Sequence, residues 1–223
     1  MRLRENQHRA KMAKIWIIIS MVVSVLAIPY IFYLADFANK IADFTVTESD
    51  FQMLVILTVA YGAIGLGSFI GSAISFIQWF RRAYYNAHIA FSGLKYSEGW
   101  AAGAWFIPIF WWIGPIQIAT EFYKKTEAKL REEEIITGRS QYPLVVWWWV
   151  FWVLSSILNQ IDQDKFGVTL DTEMTFGIIS SIASLLSGYF VLRFITNYSK
   201  MEQQLMNLDD NLSVVSDNPD LLD

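Results

Sequence analysis

Side chains that could do chemistry are few and lie far apart in this sequence. The two histidines, His8 and His88, do not have the HExxH spacing that places two metal-binding imidazoles on one helix face. The chain has no cysteine, which excludes disulfide bonds, thiolate metal sites and cysteine nucleophiles. It also contains neither a phosphate-binding P-loop nor a GxSxG nucleophile turn. We therefore predict no catalytic residue, no metal site and no cofactor.

The candidate functional residues surround one uncharged segment, Trp100 to Thr120, with four tryptophans and two prolines in 21 residues. Before it, Arg82 and Asn86 share a helix face at i, i+4, and at its end Gln117 and Glu121 do the same. We expect Arg82 and Glu121 to form a buried ion pair, either as a structural clamp or as the two sides of a ligand site. The candidate structural or ligand-contacting residues are Arg82, Asn86, Trp100, Trp105, Pro108, Pro115, Gln117 and Glu121.

The two prolines determine how this segment meets a membrane. A proline inside a helix removes a hydrogen bond and costs about 3 kcal/mol. Hydrocarbon offers no water to the carbonyl groups that Pro108 and Pro115 would leave unpaired. We therefore predict that residues 100–120 form a re-entrant or interfacial element and not a fifth span. Pro115 should open a cytosolic helix over about residues 115–137.

The elements around this segment read as membrane-spanning helices. The chain has 223 residues, of which 54% are hydrophobic, and a mean hydropathy of +0.34. About 20 apolar residues cross a bilayer as a helix, and four apolar runs are that long, at about residues 15–34, 51–80, 143–161 and 174–193. We predict an all-α membrane protein with four transmembrane helices and the Trp/Pro-rich segment between spans two and three. The spans contain no acid or base before Arg193, which ends the fourth one, and this argues against ion-coupled transport.

The positive charges predict the orientation. With four spans, 15 of the 17 lysines and arginines lie on the side of both termini, and only Lys40 and Lys165 lie on the other. A fifth span over residues 100–120 would divide them 9 to 8 and erase the bias that short cytosolic loops show. The tryptophans Trp16, Trp79 and Trp147 mark the same ends of the spans. Both termini should therefore be cytosolic.

Two further features of the sequence concern helix packing and the two ends of the chain. Gly67 and Gly71 form a GxxxG pair with Ser68 and Ser72 alongside, which fits a dimerisation face or, as we favour, packing against a helix of the same chain. Residues 1–14 form a basic cytosolic N-terminus, and the acidic residues 199–223 should form a disordered cytosolic tail.

Two motifs resemble a known family. They are WFRRAYYNA at residues 79–87 and YSEGWAAGAWFIPIFWWIGPIQIATEFYK at residues 96–124. With them the chain resembles the bacterial membrane proteins of the domain of unknown function 4328 family. The resemblance implies a four-span protein of the bacterial cytoplasmic (inner) membrane and brings no established activity. The family usually has proline where this chain has Glu98, and a more polar residue where it has Gly114.

Three functions remain open at this stage. The first is a non-enzymatic membrane scaffold or interaction module, whose cytosolic face binds a protein partner or a second copy of the chain. The second is a site that binds or transports a lipid or small amphiphile at the cytosolic leaflet, with Arg81 or Arg82 meeting an anionic head group. The third and least favoured is an intramembrane enzyme with Glu121 as general acid or base. Nucleic acid is not an expected partner, because no stretch combines basic and aromatic residues as such surfaces do.

Overall fold

The computed structural model describes residues 3–160 and 170–217, but not the side chains of residues 170, 171, 173 and 210–217. Every regular element in these residues is a helix. The six α-helices are α1 (Gln7–Ala42), α2 (Glu48–Ala90), α3 (Trp100–Gly103), α4 (Gly114–Glu132), α5 (Pro143–Leu158) and α6 (Leu170–Asp217), and a single 3-10 turn covers Phe110–Trp112. The all-α prediction is confirmed for these residues.

Three helices are long and apolar enough to cross a membrane: α1, α2 and the part of α6 from Met174 to Asp209. Helix α5 coincides with the predicted third span, but its 16 residues rise only about 24 Å at 1.5 Å per residue. That is shorter than about 30 Å of hydrocarbon. Residue 161, the last of that predicted span, lies outside the described residues. The structure thus supports a helical membrane protein with three clear candidate spans.

The chain divides into two compact units, which we describe separately. Unit 1 comprises Met1–Lys14, Ile74–Val146 and Val191–Asp223, and unit 2 comprises Ile15–Ala73 and Trp147–Phe190.

In unit 2, α1 and α2 pack side by side in opposite directions. The Ser72 hydroxyl donates to the Trp16 carbonyl at 2.9 Å and lies 2.7 Å from the Ser20 hydroxyl. Near the other end of the pair, the Tyr30 hydroxyl lies 2.9 Å from that of Thr58. Hydroxyl groups therefore satisfy each other inside this apolar pair.

The GxxxG pair is divided between two faces of α2. A Cβ atom on Gly71 would overlap the ring of Trp16, so this position needs glycine for the close approach of α1. A Cβ on Gly67 would meet nothing within 4 Å. Packing within the chain, the interpretation that we favoured, is therefore what Gly71, Ser68 and Ser72 do.

Helix α6 has two neighbours within unit 2. Its Gly188 lies against Met21 and its Gly177 against Ile31, which makes α6 antiparallel to α1. Towards α5, the Ser187 hydroxyl donates to the Trp148 carbonyl at 3.4 Å and Ser180 donates to Asn159 at 2.8 Å. The four helices of unit 2 thus form a bundle, and large apolar side chains such as Val59 and Phe69 point outward, 66% and 69% exposed. Lipid would cover such side chains at no hydrophobic cost.

Helix α2 begins with an N-terminal cap formed by Thr47 and Asp50. The Asp50 carboxylate accepts hydrogen bonds from the Thr47 backbone N–H at 2.9 Å and the Thr47 hydroxyl at 2.6 Å, and the Asp50 N–H donates back to that hydroxyl. These bonds lower the pKa of Asp50 to about 2, and Lys40 contributes a further hydrogen bond. The reciprocal bonding is that of a capping box.

The predicted disordered tail is wrong for residues 199–217, where α6 continues as helix. Tyr198, Met201, Glu202 and Leu205 recur on one face at helical spacing and are all buried in unit 1. An amphipathic face that finds a packing partner can order an otherwise acidic stretch. Residues 218–223 lie outside the described part.

Candidate functional site

The Trp/Pro-rich segment lies in unit 1 and is broken where the prolines predict. Helix α3 ends at Gly103, and the chain then runs through turns to Phe110–Trp112 before α4 begins at Gly114. Pro115 lies in the first turn of α4, where its missing N–H has no partner to lose. Helix α4 ends at Glu132, a few residues before the predicted end at 137. The segment is therefore not a continuous helix.

A tight apolar turn forms the tip of this segment. The Phe110 N–H donates to the Pro108 carbonyl at 2.8 Å across Ile109, which has φ of +68°. This is a γ-turn, a strained conformation for a β-branched residue. Phe106 and Ile109 are 76% and 79% exposed at the tip, and Pro108 is exposed between them. Two large apolar side chains are thus presented outward.

Glu121 holds the loop that precedes the segment. One carboxylate oxygen accepts the Lys95 backbone N–H at 2.7 Å, and the other accepts the Tyr84 hydroxyl at 2.9 Å. One turn earlier, the Gln117 carbonyl oxygen accepts bonds from the Lys95 ammonium group at 2.9 Å and from the Tyr96 hydroxyl. Burial, and then the bond to Glu121, raises the pKa of Tyr84 above its ordinary value. The predicted Gln117 and Glu121 face of α4 therefore binds the end of α2 and its loop.

The expected ion pair between Arg82 and Glu121 does not form. Both oxygens of Glu121 are occupied by Tyr84 and Lys95, and Arg82 instead lies beside the ring of Tyr85. Arg82 and Tyr84 are two residues apart on α2 and so project about 200° apart, which lets only one of them meet α4. Lys125, one turn after Glu121, donates to the Ser92 and Gly93 carbonyls.

On the other face of α2, a buried carboxylate joins three parts of the chain. Glu202 of α6 is 2% exposed and accepts hydrogen bonds from the side-chain amides of Asn86 at 2.6 Å and Asn6 at 3.1 Å. Each amide gives its other hydrogen to a backbone carbonyl, that of Arg4 for Asn86 and that of Trp79 for Asn6. Burial raises the pKa of Glu202 to about 7, against the lowering effects of Asn86, Asn6 and the charge of Arg82.

Aromatic rings fill the space between these two polar clusters. Trp79 contacts Phe122, Phe194 and Tyr198 edge to face, with ring centroids 5.3 to 6.5 Å apart. Two of the candidate residues, Trp100 and Trp105, lie at the edge of this aromatic cluster. Trp105 packs edge-on against Phe76 and Phe80, and the exposed Trp100 packs against Phe110. These rings form a packed aromatic core in unit 1.

A polar cleft of about 210 Å³ opens on the Arg82 side of unit 1. Arginines from the N-terminal residues and from the end of α2 line it together with a tyrosine, a glutamine and one acid. The lining residues are Arg4, Arg9, Gln78, Arg81, Arg82, Tyr85 and Glu98. Partial burial, and then the charges of Arg9 and Arg4, lower the pKa of Arg82. We refer to this feature as the arginine cleft.

The sequence analysis missed Glu202, Asn6 and the N-terminal arginines of the cleft. Glu202 had been assigned to the tail, although the helical spacing from Tyr198 to Leu205 was a usable signal. Asn6 gave no local signal, because its partners are 73 and 196 residues away. No group of three His, Cys, Asp or Glu side chains suited to a metal ion occurs in the described residues.

The described residues thus form an all-helical protein with three helices that are long and apolar enough to cross a membrane, and with a packed polar and aromatic unit 1. The chain belongs to the family described as Domain of unknown function (DUF4328), which it matches over residues 42–200. That range contains both quoted motifs and ends just before Glu202. No curated protein and no solved structure matches the chain.

Proposed function

We propose that the protein is a four-span membrane module without catalytic activity, whose unit 1 is a rigid cytosolic face for a protein partner or a second copy of the chain. The observation that carries this proposal is the use of the polar residues. Glu121, the best candidate for a general acid or base, has both oxygens engaged in hydrogen bonds, and Glu202 is buried beneath two amides. Such groups position chain segments and are not poised to exchange protons with a substrate.

The proposed topology places both termini and the loop after α4 in the cytosol of a bacterial cell. The distribution of 15 bases against 2 supports it, as do the outward apolar side chains of α1 and α2. In this arrangement α5 lies within the third span, about residues 143–161. The exposed Phe106 and Ile109 would then enter the cytosolic leaflet or contact a partner.

Site-specific photocrosslinking tests the interaction role. A crosslinking amino acid at Ile109 or at Glu132, both exposed in unit 1, reports what touches each face in intact cells. We expect one discrete protein adduct from at least one of these positions, either a dimer of the chain or a partner of fixed mass. Crosslinks to lipid alone from Ile109, with none from Glu132, would contradict the scaffold proposal.

A second candidate function, the binding of a lipid or small amphiphile, is favoured by one specific observation, the arginine cleft. The N-terminal Arg4 and Arg9 line this cleft together with Arg81 and Arg82 at the end of α2.

A further inference from the structure

The arginine cleft holds more positive than negative charge. Glu98 is its one acid, and it pairs with Arg81 at 3.7 Å in an exposed contact. Arg4, Arg9 and Arg82 form no ion pair with any carboxylate in the described residues. The buried Glu202 acts on Arg82 only through its charge. Three like charges that share one cleft repel each other, and a bound anion would remove that repulsion.

The arginines are also held in place before any ligand arrives. The guanidinium carbon of Arg4 lies 4.6 Å from the centroid of the Tyr85 ring, and that of Arg82 lies 5.5 Å from the same centroid. The Asn86 side chain donates to the Arg4 carbonyl at 2.7 Å and accepts the Arg4 N–H at 2.9 Å. One tyrosine and one buried asparagine therefore fix arginines from two distant parts of the chain, which lowers the entropic cost of binding.

We propose that the arginine cleft is a binding site for a phosphate group. Guanidinium groups match phosphate oxygens with paired hydrogen bonds, which makes arginine the usual residue for this anion. At about 210 Å³ the cleft is smaller than the roughly 300 Å³ at which sites for drug-sized ligands begin. It therefore suits one phosphate group and not a whole nucleotide.

Two sources could supply this group, a lipid head group or soluble phosphate. The uncharged stretch of α2 ends at Phe80, immediately before Arg81 and Arg82. In a membrane this is the depth of the phospholipid phosphates. The inference rests on the second candidate function above and is independent of the scaffold proposal, since it needs no protein partner.

The test uses the full-length protein purified in neutral detergent. Native mass spectrometry measures retention of two probes, inorganic phosphate and dioleoyl phosphatidic acid, with phosphatidylcholine as a neutral comparison. The variants are Arg82→Gln and Arg4→Gln, each with its melting temperature recorded. Arg139→Gln is the matched control, because it removes the same charge from an exposed loop outside the cleft. Arg82→Lys keeps the charge but loses the planar fork.

We expect at least one anionic probe to be retained by the unaltered protein, and at least tenfold less strongly by Arg82→Gln and Arg4→Gln. Arg139→Gln should retain the probe as the unaltered protein does. The retention by Arg82→Lys should lie between that of the unaltered protein and that of Arg82→Gln. If phosphatidic acid binds and excess inorganic phosphate competes with it, the source is a lipid head group. If inorganic phosphate binds and phosphatidic acid does not, the source is soluble.

Three results would overturn the proposal. One is retention of neither anionic probe. Another is a loss of probe retention in Arg139→Gln equal to that in Arg82→Gln and Arg4→Gln, which would show unspecific charge attraction. The third is unchanged retention of the anionic probe by Arg4→Gln at an unchanged melting temperature. We expect this variant to melt as the unaltered protein does, because the Arg4 side chain is exposed. None of these results bears on crosslinking at Ile109 or Glu132, so failure here and failure of the scaffold proposal are distinguishable.

Discussion

Removal of the Glu202 side chain should destabilise unit 1 more than any other single change of an acidic residue. In Glu202→Ala, one N–H of Asn86 and one of Asn6 lose their acceptor, while their other hydrogens keep the Arg4 and Trp79 carbonyls. A buried donor left without a partner costs about 1–3 kcal/mol. Two such donors and the space left behind give an expected loss of about 3–6 kcal/mol in the free energy of unfolding.

The pH dependence gives a sharper prediction. The pKa of Glu202 is about 7 in the folded protein against an ordinary value of 4.5, so folding favours the protonated form. This stabilisation is fully present below pH 4.5 and is lost as the pH rises through 7. At about 1.4 kcal/mol for each pKa unit, the loss amounts to about 3 kcal/mol across that window.

The assay is reversible unfolding in detergent at a series of pH values, with Glu202→Gln as the isosteric variant. Glutamine keeps one acceptor oxygen and cannot ionise. The free energy of unfolding of Glu202→Gln should therefore not decline between pH 4.5 and 7. Asp209→Asn is the control, because Asp209 is exposed on the same helix. If Glu202→Gln and the unaltered protein show the same pH slope, the reasoning about this buried carboxylate is refuted.

Three further predictions concern packing. A double-mutant cycle between Tyr84→Phe and Glu121→Gln should show a coupling of about 0.5–3 kcal/mol, and a coupling near zero would contradict their 2.9 Å hydrogen bond. Gly71→Ala should lower the melting temperature in detergent because its Cβ overlaps Trp16, whereas Gly67→Ala should not; equal effects would refute the assigned helix face. Truncation before Asp210 should leave the melting temperature unchanged. Truncation before Lys200 removes Glu202 and should abolish folding; if this shorter protein is stable, the extension of α6 is not needed for folding.

Local signals predicted the helices and the break between them. Uncharged runs gave the positions of α1, α2, α5 and α6, because length and apolarity alone decide whether a helix suits a bilayer. Pro108 and Pro115 predicted the interruption of the segment, because the cost of a proline depends on its own backbone and not on distant residues.

The partners of the charged residues could not be predicted in the same way. The i, i+4 spacing placed Arg82 with Asn86 and Gln117 with Glu121 on shared faces, but it carried no information about which face of α2 meets α4. That choice follows from the packing of Tyr84, Phe122 and Tyr198, whose contacts span up to 76 residues. The role of Asn6 depends in the same way on Glu202, 196 residues away.

The central proposal is that both termini and the loop after α4 lie in the cytosol, and cysteine accessibility tests it most directly. The chain has no cysteine, so each engineered thiol is unique. A membrane-impermeant thiol reagent should label a cysteine at Asn39 or Gln163 in intact cells, and should leave one at Thr137 unlabelled until the membrane is opened. Gln163 lies outside the described residues, whereas Asn39 and Thr137 are both exposed. Labelling of Thr137 in intact cells would contradict the account.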